Sequence, residues 1–206
     1  MNLKKAFSEI SKLLELLYHD REEILHLSRE IVRDCSIGIK NIHRKEFDKF
    51  HEKLNLIKIH HENLVKLIEK NQGFFSKYLK TPEQEMTELI VFYSIINNKD
   101  VPSPSELRID PLNFALGLAD VVGELRRYAL DNIRRSQTEE LNIILENMDE
   151  IYTNLFSIDY PIGVTQELRH KVDVARNIIE KTRGDVSLAI QMDDLKKCFE
   201  NERKDH

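Results

Sequence analysis

Two pairs of acids carry the chemistry this sequence could perform. Glu85 and Glu88 are three residues apart and Asp120 and Glu124 four apart, so each pair projects from one face of a helix. Both stand in apolar company. Met86, Leu89, Val91 and Phe92 surround Glu88, and Leu116, Ala119 and Val121 surround Asp120. An ionised carboxylate is costly to bury there without a counter-charge, and two together repel until a proton, a cation or a partner neutralises them. Oxygen ligands with no histidine nearby favour Mg²⁺, with Mn²⁺ as the alternative, over zinc. Such an ion can activate water and stabilise charge on a phosphoryl oxygen. The spacing also suits acids that face solvent or pair with Arg126, Arg127 or a neighbouring chain, and helical acid pairs of this kind are abundant.

A second group of residues could hold phosphates. Lys40, His43, Arg44 and Lys45 cluster together, and Lys49 and Lys53 share a helix face with His51 on its flank. The competing reading is an ordinary solvated face, since Glu46, Asp48, Glu52 and Glu62 interleave with these cations. His60 and His61 are adjacent and diverge on a helix, which argues against a two-histidine metal site. Other catalytic templates are missing: the sequence has no glycine-rich phosphate loop, no GxSxG and no HExxH. Cys35 lies on an apolar stripe and reads as core rather than nucleophile. Cys35 and Cys198 have no zinc spacing and read as free thiols of a reducing, cytoplasmic compartment.

The elements that must position these residues are helices. The 206 residues are 41% apolar and 33% charged, with 6 Gly, 5 Pro and no Trp, a balance typical of amphipathic helices. The net charge of -5 does not draw the chain to a polyanion, so nucleic-acid binding needs a local basic surface or a metal. No segment reads as a signal peptide or a membrane span. Residues 3–43 keep a helical period almost unbroken, and a helix of that length exceeds a small globule and must project or pair with another chain. A second helix is expected over 46–70, a short piece over 74–79, and a third helix from Pro82 to Ile96 with Thr81 as its cap. Residues 97–108 form the one clear loop, read as a connection within a single domain. The central helix runs from Asp110, as cap, to Ile133, with Leu118, Val121, Val122, Leu125 and Ala129 as its apolar stripe. Further helices are expected over 137–157 and 164–182, the last stopped by Gly184. Residues 185–206 read as a weakly ordered tail with a frayed NERKDH end. The class is all-α, and its apolar surface implies that protomers associate.

Four segments extend this reading. REEILHLSREIVRDCSIGIKNIHR (Arg21–Arg44), QEMTELIVFYSII (Gln84–Ile96), LGLADVVGELRRYALDNI (Leu116–Ile133) and LRHKVDVARNIIEKTRG (Leu168–Gly184) resemble, in order, the translin family. The acid spacing is most similar to the translin-associated factor X branch, the catalytic subunit of an RNA-cleaving complex. The resemblance implies a seven-helix antiparallel bundle of the translin type with a long first helix, occupying residues 1–206. It implies a metal-dependent endoribonuclease acting on single-stranded RNA or unpaired RNA ends. Glu85, Glu88, Asp120 and Glu124 would be its catalytic, Mg²⁺-holding acids, and the assembly a hollow homo-octamer with interior sites. The segment KFHEK (Lys49–Lys53) resembles translin's basic RNA-contact motif, with Lys53 where translin carries His; Arg44, Lys49, His51 and Lys53 are then the nucleic-acid contacts. A non-catalytic helical oligomer that binds single-stranded RNA or DNA is the alternative, and a purely structural scaffold a third.

Overall fold

A computed structural model describes residues 3–202 (the side chain of Glu202 excepted). Among the described residues there are eight α-helices and no strand: α1 (Leu3–His43), α2 (Phe47–Lys70), α3 (Lys80–Ile96), α4 (Pro104–Leu107), α5 (Pro111–Arg134), α6 (Leu141–Phe156), α7 (Ile162–Thr165) and α8 (Leu168–Glu202). Six are long, and α4 and α7 are single turns. The all-α class and the long first helix are as expected. No helix of the described residues is long and apolar enough to cross a membrane. Contacts group the chain into two compact units, Met1–Leu89 and Ile90–His206, and the division falls inside α3 rather than in the 97–108 loop.

The first unit is built on a helical hairpin. α1 has 41 residues and α2 has 24, joined by a tight turn at Lys45, whose φ is 60°. Ile24, Ile31, Cys35 and Ile42 of α1 are buried, as are Phe50, Ile57, Leu64 and Ile68 of α2. At the open end of the hairpin Asp20 accepts from Lys70 Nζ at 3.0 Å and Asn71 Nδ2 at 2.9 Å. These two bonds hold the Asp20 carboxyl below its ordinary range, the Asn71 bond contributing most. The start of α3 closes on this hairpin. A Cβ on Gly38 would lie 2.8 Å from Leu89 Cδ1, so the glycine lets the buried Leu89 pack directly on the α1 backbone. His61 Nε2 lies 3.1 Å from Glu83 Oε1, both side chains buried.

In the second unit α5 packs against α6 and α8, and α6 against α8. Its core includes Leu116, Ala119, Leu155, Leu168 and Val172. Phe92, on the second half of α3, meets Tyr128 of α5 edge-on with ring centroids 6.1 Å apart. Asp110 caps α5 as anticipated, accepting from the N–H groups of Leu112 and Asn113, and Pro111 occupies the tolerant first position. The 97–108 loop contains α4, started by a capping box between Ser103 and Glu106.

Several boundaries depart from the sequence expectation. α3 begins at Lys80, so Thr81 lies within its first turn rather than capping it, and Ser76–Tyr78 forms a 3₁₀ turn before it. α6 starts at Leu141 rather than 137. The helix expected over 164–182 is split: α7 ends before Gln166, whose φ is 51°, and α8 starts at Leu168. Gly184 does not stop α8, which runs on to Glu202. Glycine costs about 1 kcal/mol inside a helix, and contacts beyond it offset that cost. Val186 is buried, Asp185 pairs with Arg126 at 2.9 Å, and Asp193 accepts from Thr138 at 3.0 Å. The expected weak tail is therefore helical to Glu202; residues 203–206 of the NERKDH end lie outside the described residues.

Candidate functional site

The first acid pair sits on α3 in the first unit. Glu85 and Glu88 are both half-buried, and they share their surroundings with a residue of α1, Cys35. That thiol is fully buried and pushed well above its ordinary 9.0, first by burial, then by the charges of Glu85, Glu88 and Asp34. The core role expected for Cys35 is thereby met, since a neutral, buried thiol is no nucleophile. Cys198 is also a free thiol and is exposed.

Asp34 is the acid the sequence reading passed over. It is buried, and its Oδ1 accepts from Lys53 Nζ of α2 at 2.9 Å, with Arg33 Nε at 3.7 Å. A buried carboxylate needs such a partner. In the sequence Asp34 looks like one more acid beside an arginine. Its signal was the register: Ile31, Cys35 and Ile42 mark the buried face of α1, and Asp34 lies on that face.

The second pair sits on α5 in the second unit. Asp120 Oδ2 accepts from Lys171 Nζ of α8, and the Asp120 side chain keeps 38% of its exposure. Glu124 is half-buried, with Arg127 Nη1 at 3.5 Å from Oε2. Arg126 turns instead toward Thr182 and Asp185 of α8. The anticipated alternative partner Arg127 is thus present, while Lys171, fifty-one residues from Asp120, had no sequence signal. Within each unit, among the described residues, no three His, Cys, Asp or Glu side chains are gathered as metal ligands. Each pair offers hard oxygen donors in a half-buried setting, and the second already attracts cations. That donor chemistry fits Mg²⁺ or Mn²⁺ and not a soft metal.

The basic residues are divided. Arg44 is exposed in the α1–α2 turn. Lys49 is exposed and pairs with Glu46 at 3.1 Å. His51 is exposed, its ring edge-on to Phe50 with centroids 5.0 Å apart. Lys53 is drawn inward by Asp34, with 28% of its side chain accessible. Three of the four therefore stand at the surface of α2 and its preceding turn.

Residues 19–184 match the translin family. An uncharacterized protein of Methanocaldococcus jannaschii is 40% identical over 193 residues, covering 90% of this chain and 85% of that protein. A translin-associated protein X homolog of Schizosaccharomyces pombe is 25% identical over 206 residues, covering 88% and 86%. Among solved structures, a complex of AfC3PO with duplex RNA superposes with a TM-score of 0.83 at 30% identity, covering 91% of this chain and 97% of that one. Apo-NeC3PO, at 22% identity and a TM-score of 0.78 with 91% and 97% covered, shares the fold.

Proposed function

Because the chain belongs to the translin family, we propose that it is a metal-dependent endoribonuclease cleaving single-stranded RNA or unpaired RNA ends. The observation that carries this reading is the setting of its acids. Glu85, Glu88, Asp120 and Glu124 are all half-buried, neither sealed in the core nor fully exposed to water. Carboxylates so placed are open to a ligand. On this reading the four acids hold Mg²⁺, for which Mn²⁺ can substitute. When bound, such an ion supplies Lewis acidity toward a phosphoryl oxygen and toward the attacking water. Lys171 and Arg127 answer part of the charge of Asp120 and Glu124.

RNA is held by cations elsewhere on the chain. Arg44, Lys49 and His51, exposed on the α1–α2 turn and α2, contact phosphates and offset the acidic mean charge. Lys53 is the least available of the set because Asp34 already holds it. The solved relative with duplex RNA adds a duplex to the ligands worth testing beside single-stranded RNA and DNA. A homo-oligomer, an octamer by family resemblance, and a cytoplasmic location complete the reading.

One observation favours a second reading, a non-catalytic RNA- or DNA-binding oligomer: neither unit gathers three metal ligands among its described residues. Labelled single-stranded RNA incubated with Mg²⁺ separates the two. The endonuclease reading expects cleavage that EDTA abolishes and that Glu124→Ala lowers by about a hundredfold or more, in the range for loss of a charge-stabilising group, with binding intact. Binding that survives EDTA without cleavage supports the second reading instead.

A further inference from the structure

The end of α6, the turn α7 and the start of α8 enclose a cavity of about 340 Å³ in the second unit. That is the small end of the range for ligand sites, roughly 300–1,000 Å³. Its floor is apolar, since Leu155, Leu168 and Val172 are all buried. Its rim carries two aromatic rings, Phe156 and Tyr160, each 66% exposed. Tyr152 backs Phe156, with ring centroids 5.7 Å apart. The chain turns sharply at Gln166, whose φ of 51° and ψ of -126° suit glycine rather than a residue with a side chain. This turn brings Thr165 and Leu168, on either side of it, to the same cavity.

Polar groups with unused capacity stand between floor and rim. The Thr165 hydroxyl, on a buried residue, finds only the carbonyls of Tyr160 at 3.4 Å and Pro161 at 3.5 Å. Both lie beyond the roughly 2.5–3.0 Å of a good O–H···O bond. Among the described residues no hydrogen bond or ion pair engages the side chains of Asp159, Arg169 or Asp173, which line the same space.

These groups select a ligand by exclusion. Two carboxylates against one guanidinium leave the lining net negative, which disfavours a phosphate or a carboxylate. Arg169 disfavours a cationic side chain, and a hydrocarbon would use none of the polar groups. What remains is a flat, uncharged molecule with donors and acceptors on its edge. A nucleobase is one, and every base has a π-face that stacks on an aromatic ring. Purines answer the lining most fully. Each offers N7 as an acceptor for Arg169 and an amino group as a donor to a carboxylate. Pyrimidines lack N7 and the second ring.

We propose that this cavity takes one unpaired purine of a nucleic-acid strand, stacked on Phe156 or Tyr160 and read by Arg169 with Asp159 or Asp173. The inference rests on the RNA-binding part of the proposed function and gives that binding a base preference. It needs neither a metal nor cleavage.

Saturation-transfer NMR of the full chain in EDTA, with adenosine, guanosine, cytidine and uridine, tests it. The two purine nucleosides are expected to take up more saturation than the two pyrimidines. They lose that advantage in Tyr160→Ala/Arg169→Met, altered only at exposed positions and expected to keep its helical circular dichroism. Octauridylate with one central adenosine should bind at least about fivefold more tightly than octauridylate itself, the lower end for one stacked base, and the variant should bind the two alike. Equal saturation of all four nucleosides, or a purine advantage that survives in the variant, would overturn the proposal. So would saturation of N-acetyltyrosinamide as strong as that of adenosine, the mark of a site for a protein side chain. RNA bound without purine preference sinks this inference alone, whereas purine preference without cleavage in Mg²⁺ sinks only the endonuclease reading.

Discussion

Glu85 and Glu88 on α3 lie beside a buried thiol and a third acid, Asp34, whose charge is answered by Lys53 from the neighbouring helix. Asp120 on α5, itself more exposed than Asp34, meets Lys171, and Glu124 meets the exposed Arg127. In sequence the two pairs look alike, acids one turn apart in an apolar helix. In the fold all four acids are half-buried, but the first pair shares its surroundings with the buried Cys35 and Asp34 of unit one, and the second meets its cations directly in unit two. The difference lies in how deeply the paired acid is held: the Asp34 side chain keeps 2% of its exposure and that of Asp120 38%, while Lys53 and Lys171 are similarly accessible. The counter-charge of a buried acid is part of the architecture, whereas that of a partly exposed one can exchange with a metal or with water.

Removing a cation or an acid on each side sharpens that contrast. Lys53→Met leaves the buried Asp34 carboxylate without its closest partner and is expected to lower stability by about 2–4 kcal/mol, measured by urea unfolding. A loss below about 1 kcal/mol would make the two regions equivalent. Cys35 gives the next largest effect. Its thiol stays neutral in the fold but ionises near its ordinary 9.0 once unfolded. Its contribution is therefore complete below pH 9 and falls as pH rises further, by up to about 1.4 kcal/mol per pH unit. Cys35→Ala should abolish that part of the alkaline slope, and an unchanged slope would show that the thiol is not held neutral. Lys171→Met is the smallest, under about 1 kcal/mol, because the pair it breaks is partly exposed; under the proposed function it also lets cleavage reach half-maximum at lower Mg²⁺.

Local features were the legible ones. Asp110 followed by Pro111 and a stripe at three and four announced α5 and its cap, and one-turn spacing put each acid pair on a single face. Features set by a partner helix were not. Asp34 is buried because α2 lies over α1, and Lys171 reaches Asp120 because α8 packs on α5. Gly184 reads as a stop until Val186, Asp185 and Asp193 are seen to hold the helix beyond it. Thr81 and Pro82 form a good start signal, yet α3 opens at Lys80, two residues before Pro82, following the 3₁₀ turn at Ser76–Tyr78. The reach of α1 was visible as a helix too long for a globule, and the structure adds where its pairing with α2 ends.

The proposed function rests on Glu85, Glu88, Asp120 and Glu124 holding a divalent ion. Crystals grown with Mn²⁺ and measured at its absorption edge test it most directly. The account predicts anomalous peaks about 2.0–2.3 Å from carboxylate oxygens of Glu85, Glu88, Asp120 and Glu124. No peak at any of these acids would contradict it and leave a helical nucleic-acid binder.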